Sequence, residues 1–104
     1  MGPRFPVHVE PIRFGGEIRY WKPERAGGLA VVDVPVEYIE ALGGLKQQRV
    51  RGTIASVDFA SNVMPAGGGG LTLSVSRVMM KAAGAAVGDV VELEITAVGR
   101  ADPD

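Results

Sequence analysis

The sequence predicts a mainly β domain with two short helices, closed into a six-stranded barrel of two repeated strand-strand-helix-strand halves. Three observations lead there. Six segments alternate apolar and polar residues with period two or are short and β-branched; two others carry helix-start and helix-stop residues; and the two halves align at a constant spacing.

Taken in order, Ile12, Phe14, Gly16, Ile18 and Tyr20 fall on one face of an extended chain, with Arg13, Gly15, Glu17, Arg19 and Trp21 on the other, as in a half-buried strand. "KPERAGG" makes a turn, and Leu29–Val34 is apolar and β-branched enough for a strand buried on both faces. Pro35 suits a first helical position, Ile39 and Leu42 give the apolar spacing, and Gly43 with Gly44 ends the helix. Val50, Gly52 and Ile54 then alternate with Arg49, Arg51 and Thr53. After a tight turn near Ala55 and Ser56, Val57, Phe59, Ser61 and Val63 alternate with Asp58, Ala60, Asn62 and Met64.

Four consecutive glycines follow, Gly67–Gly70. A phosphate loop would need a Lys, a hydroxyl residue and a helix directly behind the glycines, whereas Leu71–Val75 alternates like a strand. Neither flank is long enough to bury a core alone, which argues against a linker. The run is expected to form a hairpin corner, where glycine supplies the positive φ that tight turns require. Ser76 is a good N-cap for "RVMMKAA", Gly84 ends that helix, Gly88 and Asp89 turn the chain, and Val91, Leu93, Ile95 and Ala97 oppose Val90, Glu92, Glu94 and Thr96 in the final strand.

Val34 and Val75, Gly43 and Gly84, Val50 and Val91, and Ile54 and Ile95 each stand 41 positions apart. This reads as a degenerate duplication, and two such units can close one barrel and leave no long free edge. The chance recurrence of strands and helices in a small β-rich domain is the competing explanation.

Composition narrows the chemistry. Eleven basic and twelve acidic residues, interspersed, leave a formal charge of −1, which disfavours nucleic acid as a partner. No cysteine and a single histidine, His8, remove disulfides, thiolate nucleophiles and histidine or thiolate metal clusters; a carboxylate-only metal site stays conceivable but has no motif, and neither a metal nor a cofactor is expected. No apolar run reaches the ~20 residues of a membrane span, and the amino terminus has no apolar signal core, so a cytoplasmic, membrane-free protein is the default. One domain is expected over 1–104, with its core about 12–98 and with 1–6 and 99–104 frayed.

At "VPVEYIEAL", "VRGTIASVDFASNVMPAGGGG" and "LTLSVSRVMMKAAGAAVGDVVELEI" the sequence resembles the bacterial and archaeal domain-of-unknown-function family nineteen-oh-five, over roughly Phe14 to Ile95. The resemblance rests on Val-Pro before the first helix, Phe-x-Ser followed by a Pro-x-Gly corner, and a helix ending in Gly with Gly-Asp behind it. It implies a six-stranded barrel of the double-split type, similar to the swapped-hairpin barrels of antitoxin and transition-state regulators but closed within one chain. The family has no established biochemical role, so it supplies no catalytic residues. The four-glycine corner is richer in glycine than the family's usual pattern.

Candidate chemistry is sparse. Asp58, Asn62 and Arg51 would place an acid, an amide and a guanidinium in one region. Were that face to point into the barrel, a buried carboxylate of raised pKa would suit acid-base work and the arginine would grip an anion; otherwise it is a solvated outer face. Trp21, Tyr20, Met64 and Arg77 are the candidate ligand contacts. Trp21 with Tyr20 and Arg19 would form a stacking surface, unless the aromatics serve as core packing or a hairpin-end plug. Arg77 and Lys81, four apart, form a small basic patch on a helix, and four-apart charges normally just solvate it. Adjacent Met79 and Met80 cannot both face the core, which leaves one as an adaptable apolar contact. His8, between Pro6 and Pro11, reads as an exposed or edge-packed residue rather than a catalytic one. The functions that fit are a binding module for a small molecule or protein partner, as monomer or homodimer; a small cyclase or isomerase using Asp58, Asn62 and Arg51; and a regulator-like DNA binder, by fold analogy alone.

Overall fold

The computed structural model describes residues 11–22, 24 and 27–98; His8 and the two chain ends expected to fray lie outside the described residues. The first expected strand begins at Ile12 and keeps its alternation, with Ile12, Phe14 and Ile18 buried, but it breaks at Ile18 into β1 (Ile12–Glu17) and β2 (Arg19–Tyr20). The break is an exchange of partners: β1 pairs with the last strand of the chain and β2 with the strand that follows it. Ile18 sits fully buried at the bend, its N–H donating to Asp89 O at 2.9 Å and its carbonyl accepting from Gly88 N at 2.8 Å. Both backbone groups are thus satisfied by the turn at Gly88 and Asp89, which lets the chain bend without orphaned donors.

β3 (Ala30–Val34) turns Ala30, Val32 and Val34 to the core, and Val31 is fully buried on the opposite face, so only Asp33 meets solvent. Leu29 lies just before the strand and is 46% exposed. The helix expected after Pro35 is instead two single turns of 3-10 helix, Val36–Tyr38 and Glu40–Leu42, and Pro35 is the extended residue before them (ψ 140°) rather than the first helical one. Seven residues between Pro35 and Gly43, among them Val36, Tyr38 and Ile39, are too few and too β-branched or aromatic to propagate an α-helix. Ile39 and Leu42 still reach the core, and Gly43 ends the segment at φ 100°.

β4 (Gln48–Ile54) and β5 (Val57–Gly67) are joined by Ala55 and Ser56, both at positive φ. β5 continues past Met64 through Pro65, where the ladder is irregular, to the glycine corner; Gly67, Gly68 and Gly69 all have positive φ, as the hairpin requires. β6 (Gly70–Val75) follows, then α1 (Arg77–Ala83), whose N-cap Ser76 accepts from Met79 N at 3.1 Å, and β7 (Val90–Ala97).

All seven strands form one antiparallel sheet in the order β1-β7-β4-β5-β6-β3-β2. It curls into a half-barrel of seven strands, one more than the six expected from the sequence. The extra strand comes from the partner exchange at Ile18. The two edge strands are consecutive in the chain, and on the inside Gly16 of β1 packs so tightly on Val32 of β3 that a Cβ there would lie 2.5 Å from Val32 Cγ1. One apolar cluster fills the concave side, centred on Ile18, Val50, Ile54, Val63, Leu73 and Ile95. No helix among the described residues is long and apolar enough to cross a membrane.

Candidate functional site

β6 delivers the chain to Ser76, whose cap starts α1 immediately, so the first turns of the helix lie beside the hairpin that joins β2 to β3. Between them is a groove of about 390 Å³. Tyr20, Leu29 and Ala30 form one wall; Val75, Met80 and Val87 form the other, with Ser76 and Arg77 at the α1 end. Trp21 N donates to Leu29 O at 2.7 Å and fixes the hairpin stem, which holds the ring of Tyr20 and the side chain of Leu29 in place. Arg77 Nη2 donates to Gly27 O at 3.4 Å, tying α1 to the far end of the same hairpin. The Ser76 hydroxyl accepts from Met79 N, so one of its two lone pairs is committed to the helix cap.

Adjacent Met79 and Met80 divide as their spacing requires: Met79 is buried in the core, while Met80 is half-buried and lines the groove. Among the described residues, the groove therefore combines a largely apolar lining with one cation at its edge, Arg77, an arrangement suited to a small amphipathic molecule.

Of the four ligand contacts expected from sequence, Tyr20 and Arg77 meet here. Trp21 is half-buried beside the groove without lining it, and Met64 stands elsewhere, on the outer face of β5 opposite Thr72. The Arg19 needed for a stacking surface is occupied: its Nε and Nη2 donate to Asp33 Oδ2 and Oδ1, each at 2.9 Å, and Nη1 donates to Tyr20 O at 3.1 Å. These hydrogen bonds hold the Asp33 carboxyl below its usual range and raise Arg19 above its own.

The three acid-base candidates separate. Val57, Phe59, Ser61 and Val63 take the inner face of β5, which leaves Asp58 exposed on the outer face. Arg51 and Asp58 do share a shallow concavity of about 510 Å³ with Thr53 and Thr96, because Thr53 pairs directly with Asp58 and Arg51 with Thr96. Asn62 lies four residues beyond Asp58 on β5, opposite Arg49, and is outside that concavity. Among the described residues Thr72 is the one buried polar residue, so the core holds no carboxylate for a raised pKa. Nor do three His, Cys, Asp or Glu residues gather there at metal-binding range.

A family model for a domain of unknown function (DUF1905) matches residues 14–95. The chain belongs to the DUF1905 family. No curated protein matches it. The DUF1905 match takes in both walls of the groove, from Tyr20 and Leu29 to Arg77, Met80 and Val87.

Sequence reasoning missed Leu29, Ala30, Val75 and Val87 as groove residues. Three of them read as ordinary strand positions, and Val87 sits in a short connector; no local pattern reports that the β2–β3 hairpin and α1 face one another. The one available signal was the methionine pair.

Proposed function

We propose that this DUF1905 domain is a noncatalytic binding module that holds a small organic molecule between the β2–β3 hairpin and α1. The observation that carries this reading is the groove itself, with its apolar walls of Leu29, Val75, Met80 and Val87 and, among the described residues, Arg77 as the one cation at its edge. The exposed setting of Asp58, away from Asn62, supports binding over acid-base catalysis.

Within the same reading, the curled sheet closes into a barrel of two matching halves; the tight packing of Gly16 on Val32 supports the closure, and the ladder registers support the matching of the halves. Phe14 pairs with Leu93 as Phe59 pairs with Gly52, and Tyr20 pairs with Ala30 as Pro65 pairs with Leu71. β1 and β2 map onto β5 at a spacing of 45 positions (Phe14 to Phe59), and β3 and β4 onto β6 and β7 at 41 (Gly52 to Leu93). The extra four positions are the length by which the β2–β3 hairpin exceeds the β5–β6 hairpin. The longer hairpin is the one that builds the groove; the shorter ends in glycines. At the matching positions of the other half, Arg77 becomes Val36 and Val87 becomes Lys46.

Native mass spectrometry of the chain purified gently from its own cells tests the module. A reproducible adduct that Leu29→Arg removes is expected. Adduct-free protein, or an adduct indifferent to Leu29→Arg, contradicts the proposal.

A further inference from the structure

We infer that the groove's ligand is a small carboxylic acid with an apolar body, its carboxylate gripped by Arg77; this rests on the groove being a binding site. Three features converge on that class. First, the lining supplies apolar surface from Leu29, Ala30, Val75, Met80 and Val87, which rewards an apolar body more than a polyol or sugar. Second, among the described residues of the lining Arg77 is the one charged side chain, and no carboxylate accompanies it, so an anion is attracted and a cation is not. Third, the Arg77 guanidinium spends Nη2 on a neutral carbonyl, Gly27 O, at 3.4 Å, near the outer limit of a hydrogen bond. A guanidinium offers five donors in a planar fork that matches a carboxylate, and a bidentate pair with an anionic acceptor is shorter and stronger than a single bond to a neutral carbonyl.

The internal comparison sharpens this. The position of the other half that matches Arg77 is Val36, 75% exposed, so a cation at this position is particular to the half that builds the groove. Among the described residues the groove offers Arg77 as its one cation, which suits one carboxylate; a phosphate dianion is ordinarily cradled by several donors.

The test is a titration of the full chain followed by backbone amide resonances, with 4-phenylbutyrate and its neutral isostere 4-phenylbutanamide as probes, on wild type, Arg77→Gln and Leu29→Asp. The acid is expected to shift Leu29, Met80 and Val87 saturably. Its affinity falls about tenfold or more in Arg77→Gln, and the amide binds about tenfold more weakly than the acid and is indifferent to that substitution. Equal binding of acid and amide, with no effect of Arg77→Gln, overturns the carboxylate inference and leaves the groove standing. Groove resonances that neither probe moves, or titrations unchanged in Leu29→Asp, overturn the groove reading and the inference with it. Leu29 and Arg77 are both exposed, so neither substitution should unfold the chain.

Discussion

Gly52 lies where β4 crosses closest to β7. A methyl group there would press into Glu94 O, and would also stand 2.8 Å from Glu94 C and 2.9 Å from Ile95 Cα, closer than real Cβ atoms come to anything. All three contacts are backbone, so no side chain can swing aside. β4 is held by β5 on its other side and β7 by β1, so Gly52→Ala must push β4 and β7 apart within a ladder of five paired positions, Val50–Ile54. Losing about two ladder hydrogen bonds costs ~1 kcal/mol each, and the overpacking adds about 1–3 kcal/mol. The entropy that alanine removes from the unfolded chain returns under ~1 kcal/mol. The net loss is about 2–4 kcal/mol against a total stability of about 5–15 kcal/mol for a chain of this size, equivalent to a fall in Tm of roughly 10–25 °C. Urea unfolding followed by far-ultraviolet circular dichroism and by the single tryptophan, Trp21, measures it. Gly15→Ala is the control: the atom its methyl would meet first is Glu92 Oε2 at 3.3 Å, the end of an exposed side chain that can move. A Gly52→Ala midpoint equal to that of Gly15→Ala would refute the reasoning.

Other expectations follow from single contacts. Asp33→Asn removes the two-bond grip of Arg19 on an exposed carboxylate and should cost no more than about 1 kcal/mol at neutral pH. Because folding lowers the Asp33 pKa, that stabilisation is complete above the unfolded carboxylate range, near 3.9, and is lost as pH falls through the folded value; the gap between wild type and Asp33→Asn in urea melts should close on acidification and narrow in high salt. Ser76→Ala deletes the α1 cap and should destabilise by about 1 kcal/mol, with amide hydrogen exchange quickening first at Met79. Asp58→Asn should leave stability within about 0.5 kcal/mol of wild type; a larger loss in thermal melts would mean that the carboxylate has partners its exposed position does not provide.

What the sequence made legible is what a short window decides. Ile12, Phe14 and Ile18 point inward because period two assigns their face, and the same rule puts Phe59 and Val63 inside and Asp58 outside once one face of β5 is known to be buried. The glycine corner was readable because positive φ at Gly67–Gly69 is a local demand. The break at Ile18 was not, since alternation runs unchanged through a bend whose cause is a change of partner seventy or so residues away. Nor could the spacing of Ile39 and Leu42 tell α from 3-10 geometry, because a step of three residues returns to nearly the same face in both. Of the four residues expected to contact a ligand, Tyr20 and Arg77 line one groove, while the places of Leu29 and Val87 in it were invisible because only the tertiary fold brings a hairpin stem and a helix connector together.

The most direct test of ligand binding between the β2–β3 hairpin and α1 is a set of intermolecular nuclear Overhauser effects from 4-phenylbutyrate to the methyl groups of the chain. Contacts from its ring protons to Leu29, Met80 and Val87 are expected. Contacts instead to Met64 on the outer face of β5, or to Thr53 and Thr96 in the Arg51–Asp58 concavity, would place the binding surface elsewhere and contradict it.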